Sequence, residues 1–180
     1  MDSLDLVTSH IKTNKMKQIE AIHNKIYSLS QLQEQVKEWN KENKKIVFTN
    51  GCFDIIHQGH IDYLAKARDL GDKLIIGLNT DSSVSAIKGS TRPIQDEKSR
   101  AIILAAMQFV DAIVYFSEPT PYELIKALQP DVLVKGADYK PEEIVGYDIV
   151  KAKKGEIITL TYLEGYSTSN IEKKILAGKE

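Results

Sequence analysis

Two histidines three positions apart stand where a glycine-containing turn leads into a predicted helix. They close the run Asn50-Gly51-Cys52-Phe53-Asp54-Ile55-Ile56-His57-Gln58-Gly59-His60, which follows the strand-like stretch Ile46-Val47-Phe48. The first N–H groups of a helix lack intrahelical partners, so a turn from a strand into a helix can cradle an anion. Gly59 lets a phosphate approach the backbone closely. The spacing predicts that both imidazoles face one bound phosphate, which points to nucleotide chemistry.

Cations follow in the segment after the second predicted strand. Lys88 and Arg92 belong to Lys88-Gly89-Ser90-Thr91-Arg92-Pro93, where the alternative is a solvated loop with ordinary surface charges. Lysine acts as a mobile point charge, whereas arginine can hold a phosphate with two parallel hydrogen bonds. Arg100, near the start of the next helix, is a further candidate, and its alternative is an exposed cation on the helix surface.

Lys135 and Gly136 end the apolar strand Val132-Leu133-Val134. The carboxyl end of a strand is where ligands bind in α/β folds, so a cation there is well placed. Asp138 follows; binding of a hydroxyl, binding of a metal and stabilisation of the turn all fit its position.

Hydroxyl groups precede the last predicted helix. Ser167, Thr168 and Ser169 are suited to cap it, and the same hydroxyl and amide groups suit phosphate oxygens. Asn79 and Asp81 follow the second strand, where Asp81 is also suited to cap the next helix.

Two metal hypotheses arise near the histidines. Cys52, His57 and His60 have the side-chain types of zinc ligands, but their spacing matches no standard zinc motif and no fourth ligand is evident. Asp54 is suited to an Asx-turn, to ordering the loop, or to contact with a magnesium–triphosphate complex.

In order and spacing, these motifs resemble those of the HxGH nucleotidyltransferases of the cytidylyltransferase-like branch. His57-Gln58-Gly59-His60 corresponds to HxGH, and Gly51-Cys52-Phe53-Asp54 fits the branch. Further matches are Gly77-Leu78-Asn79-Thr80-Asp81, Lys88-Gly89 with Arg92-Pro93, Arg100, Lys135-Gly136-Ala137-Asp138-Tyr139 and Gly165-Tyr166-Ser167-Thr168-Ser169. The resemblance covers about Ser30 to Leu176 and is greatest to the adenylyltransferases that make ADP-heptose from a heptose 1-phosphate.

The resemblance implies a catalytic role for His57, His60 and Lys88, which would contact the phosphates and stabilise charge at the α-phosphorus. It also implies a nucleotide-binding set: Asn50, Gly51, Cys52, Phe53, Asp54, Gly59, Asn79, Arg92, Lys135, Gly136, Asp138, Ser167, Thr168 and Ser169. Mg²⁺ is the expected cofactor and arrives with ATP. We expect no direct protein ligand for it, Asp54 being the one candidate.

The expected reaction joins ATP to D-glycero-β-D-manno-heptose 1-phosphate and releases pyrophosphate. A CTP-dependent enzyme acting on glycerol 3-phosphate, or a similar alcohol phosphate, is one alternative. A catalytically silent nucleotide-binding module is another. The resemblance further implies a homodimer and, since the sequence has no kinase-sized region, a separate heptose kinase.

Composition limits the function classes. The chain has 180 residues, enough for one domain with a core, and its 42% hydrophobic and 27% charged residues are ordinary for a globular protein. A net charge of −1 gives no overall basic field, so neither a nucleic acid nor an acidic membrane surface is an expected partner. The single cysteine excludes an internal disulfide, and no apolar run approaches the ~20 residues of a membrane span. Without a recognisable signal peptide, we expect a cytoplasmic protein.

Alternating strands and helices must position these residues. Apolar runs predict strands at 45–49, 73–78, 112–116, 131–135 and 156–160; periodicity predicts helices at 58–70, 96–110, 120–128, 142–153 and 169–176. We therefore expect an α/β fold, a Rossmann-like three-layer sandwich with a five-stranded parallel sheet. The motifs follow strands or start helices, which places them at one edge of that sheet.

Two segments outside this alternation complete the expected organisation. Residues 1–29 are expected to form an N-terminal extension, in which Met16, Ile19, Ile22 and Ile26 have helical spacing, and Met16 is an alternative start. The nucleotidyltransferase domain is expected over 30–180. Ser30 is expected to cap its first helix, and Thr120-Pro121-Tyr122-Glu123 has the pattern of a capping box.

Overall fold

Parallel strands form the centre of the structure, a computed structural model that describes residues 17–137 and 140–178. The strands are β1 (Ile26–Tyr27), β2 (Ile46–Gly51), β3 (Lys73–Asn79), β4 (Ala112–Phe116), β5 (Val132–Gly136) and β6 (Glu156–Leu160). Their order across the sheet is β1-β4-β3-β2-β5-β6, and every neighbouring pair is parallel. The α/β class and the parallel sheet are confirmed. The expected number of five strands is wrong, because the described residues form six.

The additional strand is β1, within the segment expected to be an extension. It pairs Ile26 with Ile113 and Tyr27 with Val114. A strand of two residues is too short to show an alternating pattern in the sequence. Ile19 and Ile22 belong to the preceding short helix, whereas Met16 lies outside the described residues.

Helices cover both faces of the sheet. They are α1 (Gln18–His23), α2 (Leu29–Lys41), α3 (Gln58–Arg68), α4 (Asp81–Lys88), α5 (Glu97–Ala105), α6 (Tyr122–Leu128), α7 (Tyr147–Ala152) and α8 (Thr168–Ala177), with a 3₁₀ turn at Pro141–Glu143. Alternate strand residues enter two separate cores: Phe48 and Ile75 pack on one side, and Val47 and Ile76 on the other. The sheet is thus the middle layer, and the helices on its two faces form the two outer layers.

Several helix boundaries differ from expectation. Ser28 rather than Ser30 caps α2, because Ser28 and Gln31 form a reciprocal capping box. The box expected at 120–123 does not form: Pro121 occupies the N-cap position and contributes no side-chain cap. The helix expected over 142–153 is divided into the 3₁₀ turn and α7, because Gly146 between them adopts a left-handed φ of 91°.

The chain reverses its direction of travel across the sheet at β2. From β2 it adds β3 and β4 on one side, then returns to place β5 and β6 on the other. In such sheets a crevice opens beyond the carboxyl ends of the strands at the reversal, here between β2 and β5. Among the described residues, no helix has the length and apolar character required to cross a membrane.

Candidate active site

A pocket of about 310 Å³ occupies the crevice between β2 and β5. We call it the main pocket; its walls are Asn50, Gly51, Cys52, Phe53, Asp54, His60, Tyr63, Lys88, Lys135, Gly136, Tyr162 and Thr168. Beside it lies an adjoining pocket, lined by His57, Gly59, His60, Tyr162, Tyr166, Ser167 and Thr168. Residues far apart in the sequence therefore meet at the edge that the strand-end rule indicated.

The turn after β2 fixes one wall of the main pocket. Phe53 is 7% exposed and has a left-handed φ of 46°, which is uncommon for a large side chain. A Cβ on Gly51 would lie only 3.0 Å from the Phe53 ring. Glycine at position 51 therefore lets the ring fold back beneath the turn, where its edge meets the His60 ring at a centroid distance of 5.3 Å.

His57 and His60 form a stacked pair at the start of α3. Their ring centroids are 3.8 Å apart and their planes differ by 22°. His57 is the N-cap residue of α3, and Gly59 makes room for its ring: a Cβ on Gly59 would lie 3.1 Å from His57 Nδ1. The Nδ1 atoms of both rings are buried and have no hydrogen-bond partner. The pair thus has unused polar atoms beside the two pockets.

Burial keeps this pair neutral. It lowers the pKa of His57 below its usual value. The pKa of His60 falls to about 4, mainly through burial and further through repulsion from His57 and Lys88. Each neutral imidazole has one N–H donor and one acceptor, so the pair can donate hydrogen bonds to an anion without carrying a charge of its own.

Lysines complete the cationic part of the site. Lys88 is the last residue of α4 and is exposed. Gly89 follows with a φ of 98°, and a Cβ there would contact nothing within 4 Å, so the chain beyond Lys88 turns in open space. Lys135 lies near the end of β5. Both lysines line the main pocket.

Asp54 orders the segment that follows α4. Its Oδ1 accepts hydrogen bonds from the Ile94 N–H at 2.8 Å and the Gln95 N–H at 2.9 Å, and its Oδ2 accepts from Arg92 Nη1 at 2.7 Å. Burial alone would raise the pKa of Asp54, but the Gln95, Ile94 and Arg92 contacts together lower it. Of the roles considered for this carboxylate, loop ordering is the one that its contacts carry out.

Arg92 has a second carboxylate partner besides Asp54. Its Nη2 contacts Glu172 of α8, and its side chain is only 16% exposed. The guanidinium therefore joins the turn after β2 to the last helix. It does not lie among the residues that line the main pocket.

Arg100 is buried, so the alternative of an exposed surface cation is wrong. It donates from Nε to Gln95 O at 3.0 Å, and from Nη1 to Cys52 O at 2.6 Å and Asn79 O at 2.8 Å. Its Nη2 donates to Asp81 Oδ1 at 2.7 Å. One guanidinium thereby fixes the ends of β2 and β3 relative to α5.

Asn79 is a supporting residue in this arrangement. It is 4% exposed, and its Nδ2 donates to Ser83 Oγ at 2.9 Å. The thiol of Cys52 lies 3.9 Å from Asn79 Oδ1, and burial raises the pKa of that thiol. Asp81 pairs with Arg100, and the cap of α4 is Thr80 instead.

The start of α8 contributes hydroxyl groups. Ser167 caps the helix by accepting from the Asn170 N–H at 3.1 Å, and Thr168 lines both the main and the adjoining pockets. Ser169 is exposed. Asp138 lies outside the described residues.

Two tyrosines escaped the sequence argument. Tyr63 accepts or donates a hydrogen bond with Thr49 Oγ1 at 2.8 Å, and Tyr162 packs beside it with ring centroids 5.9 Å apart. A Cβ on Gly136 would overlap the Tyr162 ring, so that glycine is required for the close approach. Tyr162 lies just beyond the end of β6, after Thr161, and the strand-end rule would have selected it had it been applied to that strand.

Potential metal ligands are dispersed over the part of the chain that the structure describes. No three His, Cys, Asp or Glu side chains lie close enough together there to hold a metal ion. The Asp54 carboxylate, the one candidate for magnesium, is already engaged by Arg92 and two backbone N–H groups. Lysines, neutral imidazoles and the free N–H groups of helix starts give this site the donors that a bound anion requires.

Known proteins share both the sequence pattern and the fold. The Cytidylyltransferase-like family matches residues 48–174. The bifunctional protein HldE of Wolinella succinogenes is 52% identical over 151 residues, and that of Campylobacter curvus is 53% identical over 151 residues. Each match covers 84% of this chain and 31% of the relative. The chain therefore spans about a third of the length of these curated relatives.

Solved structures show the same architecture. A lipopolysaccharide core biosynthesis protein from Thermoplasma volcanium GSS1 superposes with a TM-score of 0.53 at 25% identity, covering 69% of this chain and 99% of that one. A pantoate-beta-alanine ligase from Francisella tularensis, in complex with beta-gamma ATP and beta-alanine, gives a TM-score of 0.56 at 19% identity, covering 86% of this chain and 78% of that one. The second likeness concerns the fold alone.

Proposed function

Because this chain belongs to the cytidylyltransferase-like family and is a nucleotidyltransferase, we propose that it transfers AMP from ATP to D-glycero-β-D-manno-heptose 1-phosphate, giving ADP-heptose and pyrophosphate. The choice of sugar follows from the motif resemblance and is supported by the identity of about half to the HldE proteins.

The observation that carries the proposal is the stacked histidine pair beside Lys88 and Lys135. Two neutral imidazoles with unused ring nitrogens are well suited to a triphosphate, since they add donors without adding fixed charge. His60, the two lysines and Thr168 all line the main pocket, which gives one phosphate chain several donors at once.

The chemistry requires no group to remove a proton. The second pKa of a phosphate monoester is roughly 6, so the sugar phosphate is already a nucleophile near neutral pH. Its oxygen forms a bond to the α-phosphorus of ATP while the bond from that phosphorus to the pyrophosphate oxygen breaks. His57, His60 and Lys88 hold the phosphates in line and stabilise the charge that develops. Magnesium enters as part of the ATP substrate and neutralises charge on the triphosphate.

A kinase must supply the heptose 1-phosphate. In the HldE relatives the name assigns two activities to one protein, and this chain matches only 31% of it.

Magnesium-dependent pyrophosphate release tests the proposal. ATP and CTP are each combined with heptose 1-phosphate and with glycerol 3-phosphate. Release with ATP and the heptose phosphate alone is the expected result. Release with CTP and glycerol 3-phosphate would replace the substrates, and nucleotide binding without any release would favour a silent module.

A further inference from the structure

A second, smaller pocket opens beside the main one and shares Asn50 and Lys135 with it. We call it the side pocket; its volume is about 190 Å³. Thr120 and Glu143 supply its other polar side chains, and the rest of its wall is apolar. Sites for drug-sized ligands measure about 300–1,000 Å³, so this pocket suits a smaller group.

Hydrogen-bond acceptors line the side pocket, and one of them, Asn50, also lines the main pocket. Asn50 Oδ1 is buried and has no partner. A buried acceptor without a partner is costly, so a ligand that donates a hydrogen bond there is favoured. Glu143 adds a carboxylate, whose exposed ion pair with Lys140 at 3.6 Å leaves it solvated. An ionised carboxylate only accepts hydrogen bonds.

The main pocket adds three donor side chains that do not line the side pocket. Lys88, His60 and Thr168 offer donors, as phosphate oxygens require. A sugar hydroxyl, in contrast, can donate to an amide oxygen or a carboxylate. Lys135 lines both pockets. Its ammonium group is therefore placed to contact the phosphate of a sugar phosphate whose sugar lies in the side pocket.

We infer that the side pocket binds the hydroxyl-bearing part of the acceptor, and that Glu143 is a specificity-determining residue that accepts from a sugar hydroxyl. This inference rests on the proposed function, because it assigns that reaction's acceptor to a place. Sugar selection then depends on the 3₁₀ turn Pro141–Glu143, outside the motifs proposed to bind the nucleotide.

The turn provides its own matched control. Glu142 precedes Glu143 on the same turn and is also exposed, but it does not line the side pocket. Glu143→Gln and Glu142→Gln thus remove the same charge from adjacent exposed positions. Because neither side chain lies in the core, both variants should fold, and a thermal melt checks this.

Steady-state kinetics of the two variants test the inference. Loss of one charge-assisted hydrogen bond should raise the KM for heptose 1-phosphate about tenfold in Glu143→Gln. The KM for ATP and kcat should stay within about twofold of the parent protein, since the nucleotide contacts are intact. Glu142→Gln should match the parent in all three constants. Equal sugar KM values in both variants, or an equal rise for ATP and sugar, would overturn the assignment of Glu143.

The parent protein separates this test from that of the reaction. If it used glycerol 3-phosphate instead of the heptose phosphate, the proposed function would be wrong, and the same variants would be compared with glycerol 3-phosphate under the same criterion. If it turned over no acceptor, calorimetric titration with heptose 1-phosphate would decide. A binding difference between the variants would support the side pocket, and identical binding would overturn it.

Discussion

At the scale of single residues, the stacked imidazoles are stable without a bound anion and can still donate hydrogen bonds to one. Rings 3.8 Å apart would repel strongly if both were protonated. Burial, together with repulsion from His57 and Lys88, lowers the pKa of His60 to about 4, so the stack is stable near neutral pH without an anion. Both rings remain able to donate to a phosphate, which is what the transfer of a nucleotidyl group requires.

Replacing His60 by alanine should therefore abolish most of the turnover. Removing one preorganised donor commonly lowers kcat by about 10²–10³-fold. We expect a loss of at least that size in pyrophosphate release, with circular dichroism unchanged because the ring is not part of either core cluster. A folded His60→Ala protein with near-parent turnover would contradict the assigned role.

Stability should fall as the solution is acidified. The ordinary pKa of histidine, 6.5, applies to the unfolded chain, whereas His60 in the folded protein has a pKa of about 4. Between these values the unfolded state binds more protons, so the free energy of unfolding decreases as the pH drops. From pH 7 to pH 5 this residue alone should cost on the order of 2 kcal/mol.

Urea unfolding at both pH values checks that expectation. His60→Asn should lose less stability on acidification than the parent protein, whereas His23→Asn, which alters an exposed histidine, should follow the parent. An identical pH dependence in His60→Asn and the parent would show that the ring is not held neutral.

Side-chain chemistry could be predicted from the sequence, but side-chain partners could not. The structure brings His60, Lys88 and Lys135, all candidates from the motifs, to the wall of one pocket. Arg92 and Arg100 were candidates because of their charge, yet both donate their hydrogen bonds within the protein. Arg92 donates to Asp54, and Arg100 donates to the backbone carbonyls of Gln95, Cys52 and Asn79. These partners lie up to 48 positions away, so local patterns carry no information about them.

At the scale of elements, α8 carries Thr168 to the pocket but has no buried residue of its own. Its position depends on few contacts, and the pair between Glu172 and Arg92 is one of them. Since Arg92 is also bound to Asp54, this pair ties the last helix to the turn after β2. The tie positions the end of α8 that lines the main pocket.

Glu172→Gln should weaken nucleotide binding more than it weakens the fold. If the pair contributes about 1 kcal/mol to the placement of α8, the KM for ATP should rise about fivefold. The neighbouring exposed residue gives a control, Lys173→Gln, which should leave that KM unchanged. The global melting transition should move little in either variant, because α8 lies outside the cores. A Glu172→Gln protein with the parent KM for ATP would remove the positioning role.

Long apolar elements could be predicted from the sequence, whereas short polar ones could not. The strands from β2 to β6 all appeared as predicted apolar runs. Helix α4 escaped prediction because Asp81-Ser82-Ser83-Val84-Ser85-Ala86-Ile87-Lys88 contains only two large apolar residues. Its stability comes from tertiary contacts, with Ser83 and Val84 buried against the sheet. Lys88 consequently ends a helix and does not lie within a loop.

At the scale of the whole molecule, residues before Ser28 complete the sheet. The Ile113 N–H donates to Lys25 O at 2.8 Å, and Lys25 Nζ donates to Met107 O at 3.0 Å. Ile22 and Ile26 pack against one core, and Tyr27 packs against the other. This part of the expected extension is thus integrated with the rest of the fold. Residues 1–16 lie outside the described residues.

A protein that starts at Ser28 should be less stable than one that starts at Lys17. Three partly buried apolar side chains would be lost, at about 1 kcal/mol each, so we expect a loss on the order of 3 kcal/mol in urea unfolding. The deletion also leaves β4 as an unpaired edge, which favours association. Light scattering of both proteins measures this association, and the mass of the longer protein tests the homodimer that the resemblance implies. Equal stability of the two proteins would show that β1 is dispensable.

The neutral histidine pair also determines which anions can remain in the pocket. A site with two permanent imidazolium charges would attract any sulfate or inorganic phosphate in solution, and such ions would compete with the substrate. Here the pair carries no charge near neutral pH and offers only hydrogen-bond donors, more of which a triphosphate can use than a small dianion can. The low pKa of His60 therefore reduces competition from abundant small anions. We expect inhibition by sulfate to be weak near neutral pH and stronger in acid.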